Sequence, residues 1–120
     1  MTTKVFIIAG EASGDQLGSS LIQSLREQNP DIEIRGIGGE AMMAAGMKES
    51  LFPMDHLSVM GLAEIIPRIP KFINLIAKAV QAIRVFDPDV VVTIDAPDFS
   101  FRVQKKIKAA GIRAKKIHYV

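Results

Sequence analysis

Short apolar runs rich in β-branched residues alternate along this chain with segments of helical periodicity. Strand-like runs occupy Lys4–Ala9, residues 32–37, Val90–Ile94 and Lys115–Tyr119. The first and third are almost continuously apolar, which is typical of parallel strands buried on both faces. We therefore predict four strands, and the segment 47–53 is compatible with a further, shorter one.

The segment after the first strand has the spacing of an amphipathic helix. Its apolar residues are separated by four, one and three positions: Leu17, Leu21, Ile22 and Leu25. At its start, Ser13 and Gln16 stand at the spacing of a capping box, in which the serine accepts from the first-turn backbone and the glutamine reciprocates. The pattern ends at Pro30, which closes the predicted helix.

Further helical segments complete the alternation. They cover residues 41–45, residues 58–86, where Pro67 and Pro70 divide the pattern in two, and residues 100–110. Strands that alternate with helices indicate an α/β fold with a doubly wound parallel sheet, Rossmann-like, in one domain over all 120 residues.

Ligands of such sheets bind in the crevice beyond the carboxyl ends of the strands. Three loops of this chain follow predicted strands, at residues 10–15, 36–40 and 95–98. Since the carboxyl ends of parallel strands share one edge, we expect these loops to meet on one rim.

The composition excludes several classes of functional site. The chain has no cysteine, which excludes disulfides, a thiol nucleophile and thiolate metal sites. His56 and His118 are too few for a histidine-rich metal centre. The apolar run near the N-terminus is too short for a signal peptide, and no segment reaches the roughly 18 apolar residues of a membrane span. We expect a soluble or peripheral protein of a reducing compartment.

Charge is distributed unevenly. Residues 99–120 contain seven bases and no acid, whereas residues 1–98 contain eight bases and thirteen acids. The basic part is compatible with a solvated helix face and strand edge, or with attraction to anionic lipid or a phosphorylated substrate. Nucleic acid is disfavoured, because stacking aromatics are not interleaved with the bases.

The first loop reads Gly10-Glu11-Ala12-Ser13-Gly14-Asp15 and lies at a strand-to-helix turn. Glycine permits close approach of a ligand there, and a helix N-terminus favours anionic groups. The loop matches neither the Walker motif nor G-x-G-x-x-G. A well-capped helix accounts for Ser13 and Gly14, and the helix dipole accounts for Asp15, but neither explains Glu11.

The two aspartates of the third loop have different predicted roles. Asp98 directly precedes a predicted helix and is expected to be its N-cap. Asp95 follows a strand and is expected to face the crevice, where its carboxylate can act as a general base or make a structural hydrogen bond. A receiver-type module or a stand-alone nucleotide- or phosphate-binding α/β domain would offer a similar aspartate, so these alternatives stay open.

Four motifs of the chain resemble the lipid-A-disaccharide synthase family. They are AGEASGD at residues 9–15, Val59-Met60-Gly61 with Glu64, IDAPDF at residues 94–99, and Ile117-His118-Tyr119-Val120. They occur in family order, and four at compatible spacing are specific. The family consists of inverting glycosyltransferases of the two-domain GT-B architecture. The resemblance therefore implies a Rossmann-like N-terminal half, on the acceptor side, without the C-terminal UDP-sugar-binding domain.

The reaction implied by the resemblance belongs to lipopolysaccharide and outer-membrane biogenesis. It transfers 2,3-diacylglucosamine from UDP-2,3-diacylglucosamine to 2,3-diacylglucosamine 1-phosphate, forms the β-1,6-linked lipid A disaccharide and releases UDP. No metal or other cofactor is implied. The implied location is peripheral, on the cytoplasmic face of the bacterial inner membrane. Members of the family are much longer, so this chain alone is expected to be inactive.

Site residues follow from the same resemblance. Asp95 would be the general base that deprotonates the acceptor hydroxyl. The substrate cleft would include Glu11, Ser13, Gly14, Asp15, Met60, Gly61, Glu64 and Asp98.

A membrane or acyl-chain patch is predicted from hydrophobic spacing. Between residues 62 and 86 polar side chains fill only a narrow stripe, which leaves more apolar surface than one side of a sheet covers. The predicted patch comprises Leu62, Ile65, Ile66, Ile69, Phe72 and Ile73. The alternative is burial of these residues under neighbouring helices or under the second domain that the resemblance implies.

Overall fold

One parallel sheet forms the centre of the molecule. The computed structural model describes residues 3–58 and 69–119, with the backbone alone at residues 58, 69 and 70. The strands of this sheet are β1 (Lys4–Ala9), β2 (Glu33–Ile37), β3 (Val90–Ile94) and β4 (Lys115–Tyr119). They lie in the order β2-β1-β3-β4. The four predicted strands are therefore confirmed.

Helices cover both faces of this sheet: α1 (Ala12–Gln28), α2 (Glu40–Ala45), α3 (Asp55–Ser58), α4 (Ile69–Phe86) and α5 (Pro97–Ala109). On one face, Val5 and Ile7 of β1 share a core with Ile22 of α1. On the other face, Phe6 and Ile8 share a core with residues of α4 and α5. Since strand side chains alternate between faces, the continuously apolar β1 is buried from both sides. The doubly wound α/β fold is confirmed.

The strand order reverses between β1 and β3. From β1 the chain adds β2 on one side, and then adds β3 and β4 on the other side. The helix that follows β1 packs on one face of the sheet, and the helix that follows β3 packs on the opposite face. Helices that diverge in this way leave a crevice at the carboxyl ends of the two strands. Residues directly after Ala9 and Ile94 are therefore placed to meet a ligand.

The start of α1 differs from the sequence prediction. The helix begins at Ala12, Glu11 has the extended N-cap conformation (φ −143°, ψ 162°), and no side chain caps the first turn by a hydrogen bond. Ser13 consequently lies inside the helix, and the predicted capping box with Gln16 is wrong. The backbone turn after β1, and not a side-chain cap, sets where this helix begins.

The start of α5 is also earlier than predicted. Pro97 occupies the first helical turn, where its fixed φ suits a helix and its missing N–H has no partner to lose. Ala96 has the N-cap position, again without a side-chain cap. Asp98 therefore lies within the first turn, and its predicted role as N-cap is wrong.

Two further predictions concern the segments between these elements. The segment 47–53 is not a strand, although the Leu51 N–H donates to the Gly36 carbonyl over 2.8 Å. The predicted division at Pro67 and Pro70 falls partly outside the described residues, and α4 begins at Ile69, so that Pro70 lies in its first turn. None of the helices described is both long and apolar enough to cross a membrane.

Candidate active site

The turn after β1 and the turn after β3 are in direct contact. The Ser13 hydroxyl donates to Asp95 Oδ2 over 3.2 Å. A Cβ atom at Gly14 would lie only 3.0 Å from the same oxygen, and a Cβ at Gly10 would lie 2.5 Å from the Ala96 Cβ. Glycine is therefore required at position 10 for the two loops to approach so closely. The structure brings the first and third predicted loops together at the reversal of strand order.

Asp95 and its neighbour have an unusual backbone conformation. Asp95 has φ 54° and Ala96 has φ 43°, both in the left-handed region. For residues other than glycine this region costs about 1 kcal/mol or more each, and such costs concentrate at functional sites. The Asp95 N–H donates to the Tyr119 carbonyl at 3.2 Å, which ties the turn to the end of β4. The half-buried Asp95 carboxylate is thereby turned toward the first loop.

Ser100 of α5 is hydrogen-bonded to the same turn. The sequence did not indicate this residue as part of the site. Its side chain is fully buried, and its hydroxyl donates to the Asp95 carbonyl over 2.9 Å. Its N–H donates to the Ala96 carbonyl, also over 2.9 Å. A serine early in a helix is too common to draw attention in a sequence, so no local signal could have found it.

Asp15 is buried, and its side chain binds the backbone at the start of α2. Only 7% of it is exposed, and its carboxylate accepts three backbone N–H groups at the start of α2: Gly39 at 2.8 Å, Ala41 at 3.0 Å and Met42 at 3.0 Å. These bonds satisfy first-turn donors that have no partner within the helix. Asp15 therefore joins the first loop to the second, and the three predicted loops meet on one rim through its contacts and those of Ser13.

The remaining predicted substrate residues have different surroundings. Glu11 is exposed on the rim, next to Ser13, and Asp98 is exposed in the first turn of α5. The other three lie outside the described residues: Met60, Gly61 and Glu64. No cluster of three potential metal-binding carboxylate or histidine side chains occurs among the residues that the structure describes.

The predicted apolar patch is divided by the fold. Phe72 is half-buried and packs edge-on against Phe99, with ring centroids 5.9 Å apart. Ile73 is 56% exposed. Leu62, Ile65 and Ile66 lie outside the described residues, as does the side chain of Ile69. Of the two patch residues whose side chains the structure describes, Phe72 belongs partly to the core and Ile73 to the surface.

A groove between α4 and α5 combines apolar and basic walls. Its volume is about 740 Å³. The apolar wall contains Phe72, Ile73 and Ile76, and the other wall is formed by Asp98, Arg102, Lys105, Lys106 and Ala109. The uneven charge of the sequence is thus partly concentrated beside the exposed part of the apolar patch.

The sequence of this chain is similar to proteins of one known family. The sequence profile of the family described as "Lipid-A-disaccharide synthetase" matches residues 5–120. Proteins named lipid-A-disaccharide synthase are 47% identical in Pseudomonas aeruginosa (strain LESB58) and in Gluconobacter oxydans (strain 621H), over 98% and 97% of this chain. The relative from Ruegeria pomeroyi is 48% identical over 98% of the chain.

The matched region is a limited part of each relative. The chain spans 30% of the Pseudomonas protein, 27% of the Gluconobacter protein and 29% of the Ruegeria protein. The match nevertheless runs through all four strands and through both turns that meet at Asp95. The chain belongs to the lipid-A-disaccharide synthase family.

Proposed function

We propose that this chain forms the acceptor-side part of a glycosyltransferase that makes the lipid A disaccharide. The donor would be UDP-2,3-diacylglucosamine and the acceptor 2,3-diacylglucosamine 1-phosphate, and UDP would be released. The observation that carries the proposal is the position of Asp95, a half-buried carboxylate where the strand order reverses, in contact with the loop after β1. Family membership supplies the reaction class.

Asp95 is proposed as the general base. The acceptor hydroxyl oxygen bonds to the anomeric carbon of the donor, the bond from that carbon to UDP breaks, and the hydroxyl proton passes to the carboxylate. Ser13 donates to Oδ2, and among the described residues no donor reaches Oδ1. Oδ1 is therefore the oxygen that we expect to accept the proton.

Substrate contacts are proposed on both sides of this base. Glu11 is exposed on the rim, and Gly14 keeps the first turn of α1 close to Asp95 without a side chain in the way. Met60, Gly61 and Glu64 complete the cleft by resemblance alone. Asp15 is proposed to act through the shape of the rim, because its carboxylate binds the backbone of α2.

The site is proposed to work at a membrane surface on the cytoplasmic side. The exposed Ile73 and the adjoining bases of α5 form one surface with apolar and cationic parts. Such a surface suits lipid, since apolar side chains enter the acyl region and cations meet anionic headgroups. The substrates themselves carry acyl chains and phosphate groups.

Two aspartate variants test the proposal in an enzyme that contains this chain and has the full length of the relatives. Asp95→Asn retains the size of the side chain but removes the basic lone pair, and general-base catalysis contributes about 10² to 10⁴ in rate. We expect kcat to fall by that factor while the melting temperature hardly changes.

Asp98→Asn is the matched control, three positions further along the chain, in the first turn of α5. It removes one charge near a helix N-terminus, an interaction of about 0.3 to 1 kcal/mol. Its kcat should fall far less than that of Asp95→Asn. Near-normal turnover by folded Asp95→Asn, or loss of turnover confined to Asp98→Asn, would contradict the assignment of the base.

A further inference from the structure

The left-handed turn at Asp95 and Ala96 needs support from the surrounding structure. Neither residue is a glycine, and both have positive φ values, 54° and 43°. Side chains with a Cβ atom avoid this region, so an isolated turn of this sequence would relax to other conformations. The direction of the Asp95 carboxylate depends on this backbone conformation, because the backbone angles at Asp95 set the direction of its Cα–Cβ bond relative to β3.

Ser100 supplies a contact that selects this conformation. Its hydroxyl donates to the Asp95 carbonyl, which in the left-handed turn points toward the first turn of α5. Because Ser100 is 0% exposed, no water can take over this bond if the hydroxyl is removed. Ser100 also cannot reach a substrate in the crevice. Any effect that it has on the reaction must therefore pass through Asp95.

We propose that Ser100 is a positioning residue, which holds the Asp95 carboxylate in the orientation needed to accept the proton of the acceptor hydroxyl. The proposal rests on the proposed role of Asp95 as the base. Two serines then donate to the same residue, Ser13 to its carboxylate and Ser100 to its carbonyl. Proton transfer is sensitive to this geometry, because a displacement of about 1 Å at a reacting group can cost on the order of 100-fold in rate.

The test uses Ser100→Ala in the same enzyme, which contains this chain and has the full length of the relatives. We expect kcat to fall roughly 10- to 100-fold with KM close to that of the unchanged enzyme, because a displaced base weakens the transition state and not substrate binding. A purely structural role would lower the amount of folded enzyme and leave the kcat of the folded fraction unchanged. Unchanged kcat would overturn the proposal.

Thr93→Val is the matched control. Thr93 is also 0% exposed, and its hydroxyl is also hydrogen-bonded, to His118 Nδ1 and Gln104 Nε2 at 2.8 Å each and to the Ile117 carbonyl at 3.4 Å. Thr93 lies on β3, the strand that ends directly before Asp95, and its hydroxyl makes no hydrogen bond to Asp95. We expect this variant to lose stability without the loss in kcat, and an equal loss in kcat would show that Ser100 has no specific role.

A double-mutant cycle separates the proposal from the proposed function. With Asp95→Asn already present, Ser100→Ala should cause little further loss of the slow residual turnover, measured as radiolabelled disaccharide. If Ser100→Ala lowers turnover equally in both backgrounds, Ser100 does not act through Asp95 and the positioning role is wrong. If Asp95→Asn alone retains activity, the role of the base fails instead.

Discussion

Replacing Gly10 by alanine tests how closely the two turns of the site must approach. The added Cβ would lie 2.5 Å from the Ala96 Cβ, whereas carbon atoms in contact prefer about 3.5 to 4.0 Å. Both atoms are fixed to backbone, so a shift of about 1 Å must be taken up by the main chain. Overpacking of this kind costs about 1 to 3 kcal/mol, and we expect that loss in the free energy of unfolding.

The second residue of the contact provides a rescue. Ala96→Gly removes the opposing Cβ and relieves the left-handed conformation, which stabilises the folded state by about 1 kcal/mol. Glycine also gives the unfolded chain more conformational freedom, which lowers the free energy of unfolding by about 0.4 to 1 kcal/mol. Ala96→Gly alone should thus be nearly neutral. The double variant should recover most of the stability that Gly10→Ala loses.

The assay is urea unfolding of the four proteins in this cycle, followed by far-ultraviolet circular dichroism. Gly18→Ala serves as the control, because the three atoms nearest to its new Cβ belong to the Met42 side chain, with the sulfur at 2.6 Å, and not to the turn at Ala96. Ala96→Gly should not alter the loss of stability that Gly18→Ala causes. If the double variant is as unstable as Gly10→Ala, the reasoning about the Cβ contact is refuted.

Two further predictions concern Asp15 and the apolar patch. Asp15→Ala leaves three N–H groups at the start of α2 without their acceptor. We expect the free energy of unfolding, measured in urea, to fall by about 2 to 3 kcal/mol. A loss near zero would show that water replaces the carboxylate. Ile73→Ser, at a residue 56% exposed, should change stability by no more than about 0.5 kcal/mol yet reduce co-sedimentation with phosphatidylglycerol vesicles. The buried Ile76→Ser should instead unfold the protein, and unchanged vesicle binding by Ile73→Ser would remove that residue from the membrane surface.

The sheet and the place of its ligand crevice were predictable from the sequence. A strand buried on both faces requires a nearly continuous apolar run, so β1 and β3 can be predicted from their apolar residues alone. Alternation with helical periodicity then requires parallel strands with helices on both faces. Since the carboxyl ends of parallel strands lie together, the position of Asp95 directly after β3 was enough to place it on the rim.

The detailed roles at this rim were decided by tertiary structure. Ser13 has the local spacing of a cap, but its hydroxyl binds Asp95, 82 residues away. Asp15 resembles a first-turn acid of its own helix, but its carboxylate binds the backbone of α2, 24 to 27 residues further along. Phe72 and Ile73 are adjacent and both apolar, yet Phe99 packs against the first while the second is 56% exposed.

The physical reason is the range of the interactions. Hydrophobic periodicity and turn chemistry act within a few residues, so the sequence by itself determines which segments become strands and helices and in what order they follow. A hydrogen bond from a side chain depends on which distant backbone arrives beside it, and only the packed sheet determines that. The left-handed turn at Asp95 exists because Gly10, Ser100 and the end of β4 surround it together, which no local pattern could indicate.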